Sequence, residues 1–248
     1  MDVIVPAAGY ATRLGDEAKG RPKHLIDVQG RLILDYVLEK VYEIPEVERV
    51  VIVTNQKFFG QFSEWAERER YRGLTVLNDR TASNEDRLGT MGDVLFAIND
   101  LGLYQDLLVL GGDNLFEDSL LGPYKYFSDS GKPVICTYDV GSIESAKKFG
   151  VVTVDESSRI TELIEKPENP PSTLISTLIY FFPEAVIDLM RRYQLEGNNM
   201  DRAGDFIHWL VRETDVYAYP IEKWWDIGSP ETLEEARSLY GKGRLKSH

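Results

Sequence analysis

An α/β fold, with helices on both faces of a mostly parallel sheet, is predicted by two features of the sequence. Short apolar runs of strand character alternate with amphipathic helical patterns through the first 114 residues, which is the rhythm of strands joined by helical crossovers. Each of three glycine-bearing polar turns, 7–24, 78–92 and 111–117, follows one of those strands, and open α/β sheets bind ligands beyond the carboxyl ends of their strands. The 248 residues suffice for one sizeable core, or for one core with a small lobe packed on it.

The first strand is Val3 and Val5 flanking Ile4. Apolar residues at Ile33, Leu34, Val37, Leu38, Val41 and Ile44 recur at three- and four-residue spacing, so 32–44 reads as an amphipathic helix packed on that strand. RVVIVT, from Arg49 to Thr54, is a compact second strand. KFFGQFSEWAERERYR, 57–72, is helical in pattern and turns Phe58, Phe62, Trp65 and Tyr71 inward. LTVLND gives a third strand, Thr90 to Asn99 a helix, and DLLVLGGDN a fourth strand running into a glycine turn.

After Gly131 the rhythm changes. KPVICTYDV, FGVVTVDE, RITELIEK and STLIYFF are strand-like, with one short helical stretch near Ser142 to Lys148. This half is expected to mix antiparallel strands into the sheet and to add a small ligand-facing lobe. PEAVIDLMRRY and MDRAGDFIHWLVRE read as helices and VYAYPI as an edge strand. SPETLEEARSLY is the closing helix, with Ser229 as N-cap and Pro230 in its first position. The polar tail GKGRLKSH, from 241, is expected to fray.

Hydrophobic residues make up 43% and charged residues 28%, the balance of a soluble globular protein, and no run of about 18 apolar residues exists to span a bilayer. The opening strand is too short for a signal peptide. Cys136 is the single cysteine, which excludes an intramolecular disulfide and a multi-cysteine zinc site and fits a reducing cytoplasm. The formal charge of −13 disfavours general nucleic-acid binding. A phosphate-bearing ligand must therefore be held locally, by cations, backbone N–H groups or divalent metal.

The densest such chemistry is PAAGYATRLGDEAKGRPKHL, residues 6–25, where Gly9, Gly15 and Gly20 accompany Arg13, Lys19, Arg21 and Lys23. A dinucleotide turn does not fit, because AAGYATRL lacks the later glycines of G-x-G-x-x-G and the second strand ends in Thr54 and Asn55 without an acid for a ribose. A P-loop does not fit either: in GDEAKGRP, Arg21 and Pro22 stand where lysine and a hydroxyl residue belong. What remains is a different phosphate cradle, with Ala7, Ala8, Gly9 and Ala11 exposing backbone N–H groups and Arg13 and Lys23 adding charge. Taken alone, the loop is equally well a solvated segment with scattered cations.

VPAAGYATRL followed by RPKHLIDVQGRLILDYVLEK resembles the opening signature of the sugar-1-phosphate nucleotidyltransferases. The resemblance continues in order through RLGTMGD, LVLGGDNLF, FGVV, IEKP and WWDIGSPETL and covers nearly the whole chain. It implies a Rossmann-like three-layer sandwich with a mixed, mostly parallel central sheet and a small sugar-binding lobe. A single domain over 1–241 is expected, its nucleotide-binding half at about 1–130 and its sugar-binding half at about 131–241. The implied reaction is attack of a sugar-1-phosphate oxygen, in line, on the α-phosphorus of an NTP, with pyrophosphate leaving. Positioning and charge neutralisation do most of the work in such transfers, so no protein nucleophile is required.

The resemblance also implies roles. Arg13 would grip the β- and γ-phosphates and Lys23 the α-phosphate, while Ala8, Gly9, Gly89 and Thr90 cradle the nucleotide. Asp113 of GGDN and Asp226 of WWDIG would hold Mg²⁺ by hard carboxylate oxygens, with waters and phosphate oxygens completing the shell. Gly150, Glu165, Lys166 and Thr177 would face the sugar and its phosphate, whereas Trp224 and Trp225 are expected to pack. TASNEDR departs from the family's glutamine-and-proline loop, and Asn84, with donor and acceptor, is the residue there suited to a base edge. Tyr10 and Ala11 replace the usual small residue and glycine.

The expected partners are an NTP and a sugar-1-phosphate, without nucleic acid or membrane, and a homo-oligomer is compatible with the resemblance. The chain stops soon after its closing helix, so an appended acetyltransferase repeat is not expected. Three rivals stand beside this reading: CMP transfer to an alcohol phosphate such as phosphocholine, which calls for an aromatic and acidic box; a glycosyltransferase, which typically carries D-x-D where this chain has GGDN; and a non-catalytic module that senses nucleotide sugars.

Overall fold

The computed structural model describes residues 1–10 and 20–239. The first half runs β1 (Asp2–Pro6), a short 3-10 turn at Lys23–Leu25, β2 (Asp27–Val28), β3 (Arg31–Leu32), α1 (Ile33–Val41), β4 (Arg49–Thr54), α2 (Phe59–Glu69), β5 (Leu74–Asn78), α3 (Thr90–Leu101) and β6 (Leu107–Leu110). It continues with β7 (Asn114–Phe116), α4 (Leu121–Ser130), β8 (Val134–Asp139), α5 (Ile143–Ala146), β9 (Gly150–Val154) and β10 (Ile160–Glu165). The chain closes with β11 (Leu174–Phe182), α6 (Ala185–Leu195), α7 (Ala203–Leu210), β12 (Tyr217–Pro220), β13 (Trp224–Asp226) and α8 (Pro230–Leu239).

One mixed sheet organises the molecule in the order β10-β9-β11-β6-β1-β4-β5, with β8 beside β11 and β12 beside β8. β6, β1, β4 and β5 are mutually parallel, and β11 joins β6 antiparallel. Alternation along β1 divides the core between the two faces. Val3 and Val5 pack with Leu34 and Leu38 of α1, Phe58 and Phe62 beside and within α2, and Phe127 of α4. Ile4 faces the other layer, with Val94 and Ile98 of α3, Met190 of α6, and Phe206 and Leu210 of α7. Both faces are covered, so the buried strands read as continuous apolar runs.

The α/β class, the parallel first half and the antiparallel strands of the second half are those anticipated. α1 stops at Val41 although Ile44 stays buried, and α2 ends at Arg70, whose left-handed φ of 52° terminates it. α8 begins as expected: Pro230 opens it and the Ser229 hydroxyl accepts from the Thr232 N–H at 3.3 Å. α4 was not foreseen, because LGPYKYFSDS buries only Pro123 and Phe127 and shows little periodicity. Residues 200–202 do not continue α7 towards the N-terminus as MDRAGDFIHWLVRE suggested. They lie outside the helix, with Arg202 extended, and the Met200 and Asp201 carbonyls accept from N–H groups at the start of α3. Among the described residues, no helix is long and apolar enough to cross a membrane.

Candidate active site

The three glycine turns meet at the carboxyl end of the parallel strands. Two adjoining cavities open there, about 200 and 240 Å³, and share Thr90, Asp113, Leu178 and Asp201. Ala8, Gly9, Lys23, Gly89 and Asp93 line the first; Gly150, Glu165, Lys166, Thr177 and Asp226 line the second. A larger cavity of about 700 Å³, beside Met1, Glu48 and Asp106, touches none of the predicted site residues.

The start of the first loop is pinned by β4. The Ala7 N–H donates to the Val53 carbonyl at 2.7 Å, and Asn55 Nδ2 donates to the Ala8 carbonyl at 2.7 Å. Among the described residues, nothing lies within 4 Å of where a Gly9 Cβ would stand. The loop returns at Lys23, whose ammonium is ion-paired with Asp113 at the exit of β6. Arg13 and Ala11 lie outside the described residues.

Asp113 sits on a turn that only small residues allow. A Cβ on Gly111 would approach Asn114 Nδ2 to 2.6 Å, and one on Gly112 would come within 2.7 Å of Val5 and 2.8 Å of His24. Burial pushes the Asp113 carboxyl up, but the Lys23 and His24 side chains and the Lys23 hydrogen bond outweigh it and hold the group below its usual range. His24, fully buried against Phe62, is pushed down to about 4, chiefly by burial, with Asp113 pulling the other way and Lys23 adding to the fall. It is a neutral imidazole at pH 7.

β13 delivers Asp226 to the same place. Asp226 pairs with Asn114 across the β7–β13 ladder, and the Ile227 N–H donates to the Asp113 carbonyl at 3.2 Å. Directly opposed antiparallel residues have Cα atoms about 5 Å apart, so two carboxylates 113 positions apart in sequence border one cavity. Hard, anionic carboxylate oxygens suit Mg²⁺, which takes one or two carboxylates and keeps waters. Among the described residues there is no cluster of three or more His, Cys, Asp or Glu ligands for a metal.

Gly89 and Thr90 form the wall between the cavities. Gly89 has φ 81° and ψ 169°, a region open essentially to glycine alone, and its Cβ would stand 2.3 Å from the Asp201 Cα. The close approach lets the 200–201 carbonyls accept from the N–H groups of Thr90, Met91 and Gly92, the donors a helix start leaves unpaired. Arg87 reinforces the strap with two hydrogen bonds to Asp201, at 3.0 and 2.9 Å. The structure leaves Asn84 outside both cavities: it is exposed and its Oδ1 accepts from Arg87 at 2.9 Å.

In the second cavity, the Glu165 carboxylate fills the space that two glycines vacate. Cβ atoms on Gly150 and Gly204 would approach its Oε2 to 2.7 and 2.2 Å. Burial, then Asp205, raises its pKa against the pull of Lys166 and Arg202. Lys166 holds φ 50°, a strained value for a long side chain, and its N–H donates to the Phe149 carbonyl at 2.9 Å. Thr177 borders the cavity, but its hydroxyl is turned into the sheet, donating to the Cys136 carbonyl at 2.8 Å. β11 is irregular between Ser176 and Tyr180, with Leu178 at φ 54°, and that bulge places these residues at the cavity. Trp224 packs on Tyr138 and Phe149, as expected.

Sequence reasoning missed His24, Arg87, Asp93 and Asp201. Asp93 follows RLGTMG immediately, and a buried acid one turn into a helix that begins at a ligand-facing glycine was the available signal. His24 and Asp201 gave none, because their places depend on contacts with Gly112 and Gly89.

Residues 2–243 match the family described as Nucleotidyl transferase, and the chain belongs to it. UTP--glucose-1-phosphate uridylyltransferase AglF of Haloferax volcanii is 27% identical over 239 residues, which cover 95% of each protein. Bifunctional protein GlmU of Methanocaldococcus jannaschii is 28% identical over 237 residues, 95% of this chain. The chain spans about half (53%) of the length of that relative. UDP-glucose pyrophosphorylase from Acinetobacter baumannii superposes with a TM-score of 0.78 at 22% identity, covering 99% of this chain and 94% of that one. A UDP-glucose pyrophosphorylase complexed with UDP-glucose superposes at 0.81, with 21% identity, covering 98% and 99%.

Proposed function

We propose that the chain, as a member of that family, joins an NTP to a sugar-1-phosphate, releasing pyrophosphate and forming an NDP-sugar. The observation that carries the reading is the Lys23–Asp113 ion pair at the junction of two cavities, with Asp226 on the same rim. The nucleotide occupies the cavity of Ala8, Gly9, Gly89 and Thr90, and the sugar phosphate the cavity of Gly150, Glu165 and Lys166. Their junction is where an acceptor oxygen and an α-phosphorus would meet.

Lys23 neutralises the α-phosphate as charge builds on it and is held in position by Asp113 before substrate arrives. Lys166 holds the phosphate of the acceptor, and the Glu165 carboxylate accepts from sugar hydroxyls. Arg13, by resemblance, steadies the departing pyrophosphate. Asp113 and Asp226 would hold Mg²⁺, which when bound supplies charge neutralisation to the triphosphate. The reading requires no nucleophile from the chain, in keeping with one buried cysteine and three histidines.

A second acceptor class is favoured by one observation. A cavity of about 620 Å³ adjoins the sugar side and is walled by Tyr138, Phe149, Trp224 and Trp225 with the acids Glu222, Asp226 and Glu235 and the cations Lys148 and Lys223. Aromatic faces with acids suit a quaternary ammonium, as in phosphocholine. Pyrophosphate release measured for each common NTP against a panel of sugar-1-phosphates and phosphocholine decides between the two. Release with a sugar-1-phosphate bears out the main reading; release with phosphocholine alone replaces it, and release with none removes both.

A further inference from the structure

Among the described residues, Thr90, Asp113, Leu178 and Asp201 line both cavities, and Leu178 is the apolar member of that set. Its backbone is also unusual. At φ 54° it holds a left-handed value that a bulky side chain rarely adopts and that glycine takes without steric cost. The irregular register of β11 between Ser176 and Tyr180 sets it there, and its carbonyl accepts from the Gly111 N–H at 2.8 Å, where the β6–β11 pairing ends. Strain of this kind persists where the surroundings over-determine it, and it collects at functional sites.

The side chain reaches the junction of the cavities. A Cβ on Gly111 would stand 3.3 Å from Leu178 Cδ2 and 3.0 Å from Asp113 Oδ1, so the branched end of the leucine and the carboxylate that would hold Mg²⁺ flank one spot. Leu178 packs in part on the core layer of Val94 and Phe206 and is otherwise half-buried. The second cavity, which it borders, measures about 240 Å³, below the roughly 300–1,000 Å³ usual for small-molecule sites. Bulk at this wall therefore decides what fits. In the proposed reaction the acceptor oxygen and the α-phosphorus meet at the junction. The phosphate-bearing carbon of a hexose-1-phosphate has two ring neighbours, the ring oxygen, which carries nothing, and C2. The C2 group is thus the substituent nearest the junction. A hydroxyl there needs little room, whereas an acetamido group is larger and brings an amide that a leucine side chain cannot pair.

We propose that Leu178 is a specificity-determining residue that limits bulk at C2 of the acceptor, so that the substrate class is a hexose-1-phosphate with a free 2-hydroxyl and not its 2-acetamido counterpart. This rests on the reading of the second cavity as the acceptor site. The test is pyrophosphate release, with whichever common NTP reacts fastest, from matched pairs of 2-hydroxy and 2-acetamido hexose-1-phosphates of gluco, galacto and manno configuration. Wild type, L178G, L178A and L178M are compared, with thermal unfolding to verify folding. Wild type is expected to favour the 2-hydroxy member of its best pair by about tenfold or more in kcat/KM, the scale on which a pocket rejects added bulk. L178G, which suits the backbone at this position, and L178A should bring the ratio close to one by raising the acetamido acceptor, whereas L178M, of similar volume, should keep it. Wild type that uses both members equally or favours the acetamido one overturns the inference whatever the variants do, as does a wild-type ratio in folded L178G. A ratio that changes in L178G but not in L178A assigns the effect to the backbone and overturns the role of the side chain. Release with no sugar-1-phosphate at all removes the acceptor reading itself and this inference with it.

Discussion

Gly89→Ala is the sharpest test of how the site is built. The backbone at 89 lies at φ 81° and ψ 169°, which costs a side-chain-bearing residue about 1–3 kcal/mol. The added methyl would also stand 2.3 Å from the Asp201 Cα and 2.7 Å from the Met200 carbonyl oxygen. Both are backbone atoms, so relief requires moving the strap itself, at a further 1–3 kcal/mol or so by the usual scale of overpacking. Moving it loosens the hydrogen bonds that the Thr90, Met91 and Gly92 N–H groups make to the strap, at about 1 kcal/mol each. A destabilisation of about 3 kcal/mol or more follows, read from urea unfolding as a lower midpoint with unchanged slope. Gly9→Ala is the control: its Cβ meets nothing within 4 Å among the described residues, so a change within about 0.5 kcal/mol is expected. A Gly89→Ala protein within about 1 kcal/mol of wild type would show that the strap does not constrain α3 as described.

Lys23→Met should lower turnover roughly 10²- to 10³-fold, the scale of losing one preorganised donor to the transition state; near-wild-type steady-state rates would remove Lys23 from the chemistry. Asp113→Asn should abolish most magnesium-dependent turnover, and an unchanged Mg²⁺ titration of activity would contradict its role as ligand. Burial, then the charge and hydrogen bond of Asp79, raise Asp93 from 3.8 to about 8 in the fold, so the folded protein binds a proton that the unfolded chain has released. Its contribution is fully present below about pH 4 and is lost as pH rises towards 8, with a slope of up to about 1.4 kcal/mol per pH unit. Asp93→Asn should flatten that decline in unfolding experiments across this range, and an identical decline in the variant would assign it to other groups.

The legibility of the molecule follows the range of its interactions. β1, β4 and β6 were readable because strands buried on both faces are apolar runs, and α1 and α2 because their apolar residues recur at helical spacing. α4 was not, since only Pro123 and Phe127 of its ten residues are buried. Site residues divide in the same way. Lys23, Gly89 and Asp113 stand beside glycine turns that follow strands, a local pattern, and they line a common cavity. Asn84 and Thr177 have the right functional groups in the right segments, but Arg87 occupies one and the Cys136 carbonyl the other. Which partner a side chain finds is not encoded next to it.

The alternation of the main strands and helices of the first half, the phosphate-compatible loop and the chemical types at the turns belong to the sequence alone, because periodicity and glycine punctuation act over a few residues. Tertiary structure decided the rest. It brought Asp226 beside Asp113 through the β7–β13 ladder, laid residues 200–201 across the start of α3, and confined Asp93 with Asp79. Ion pairing, desolvation and close approach depend on distances between atoms remote along the chain, and only packing sets those distances.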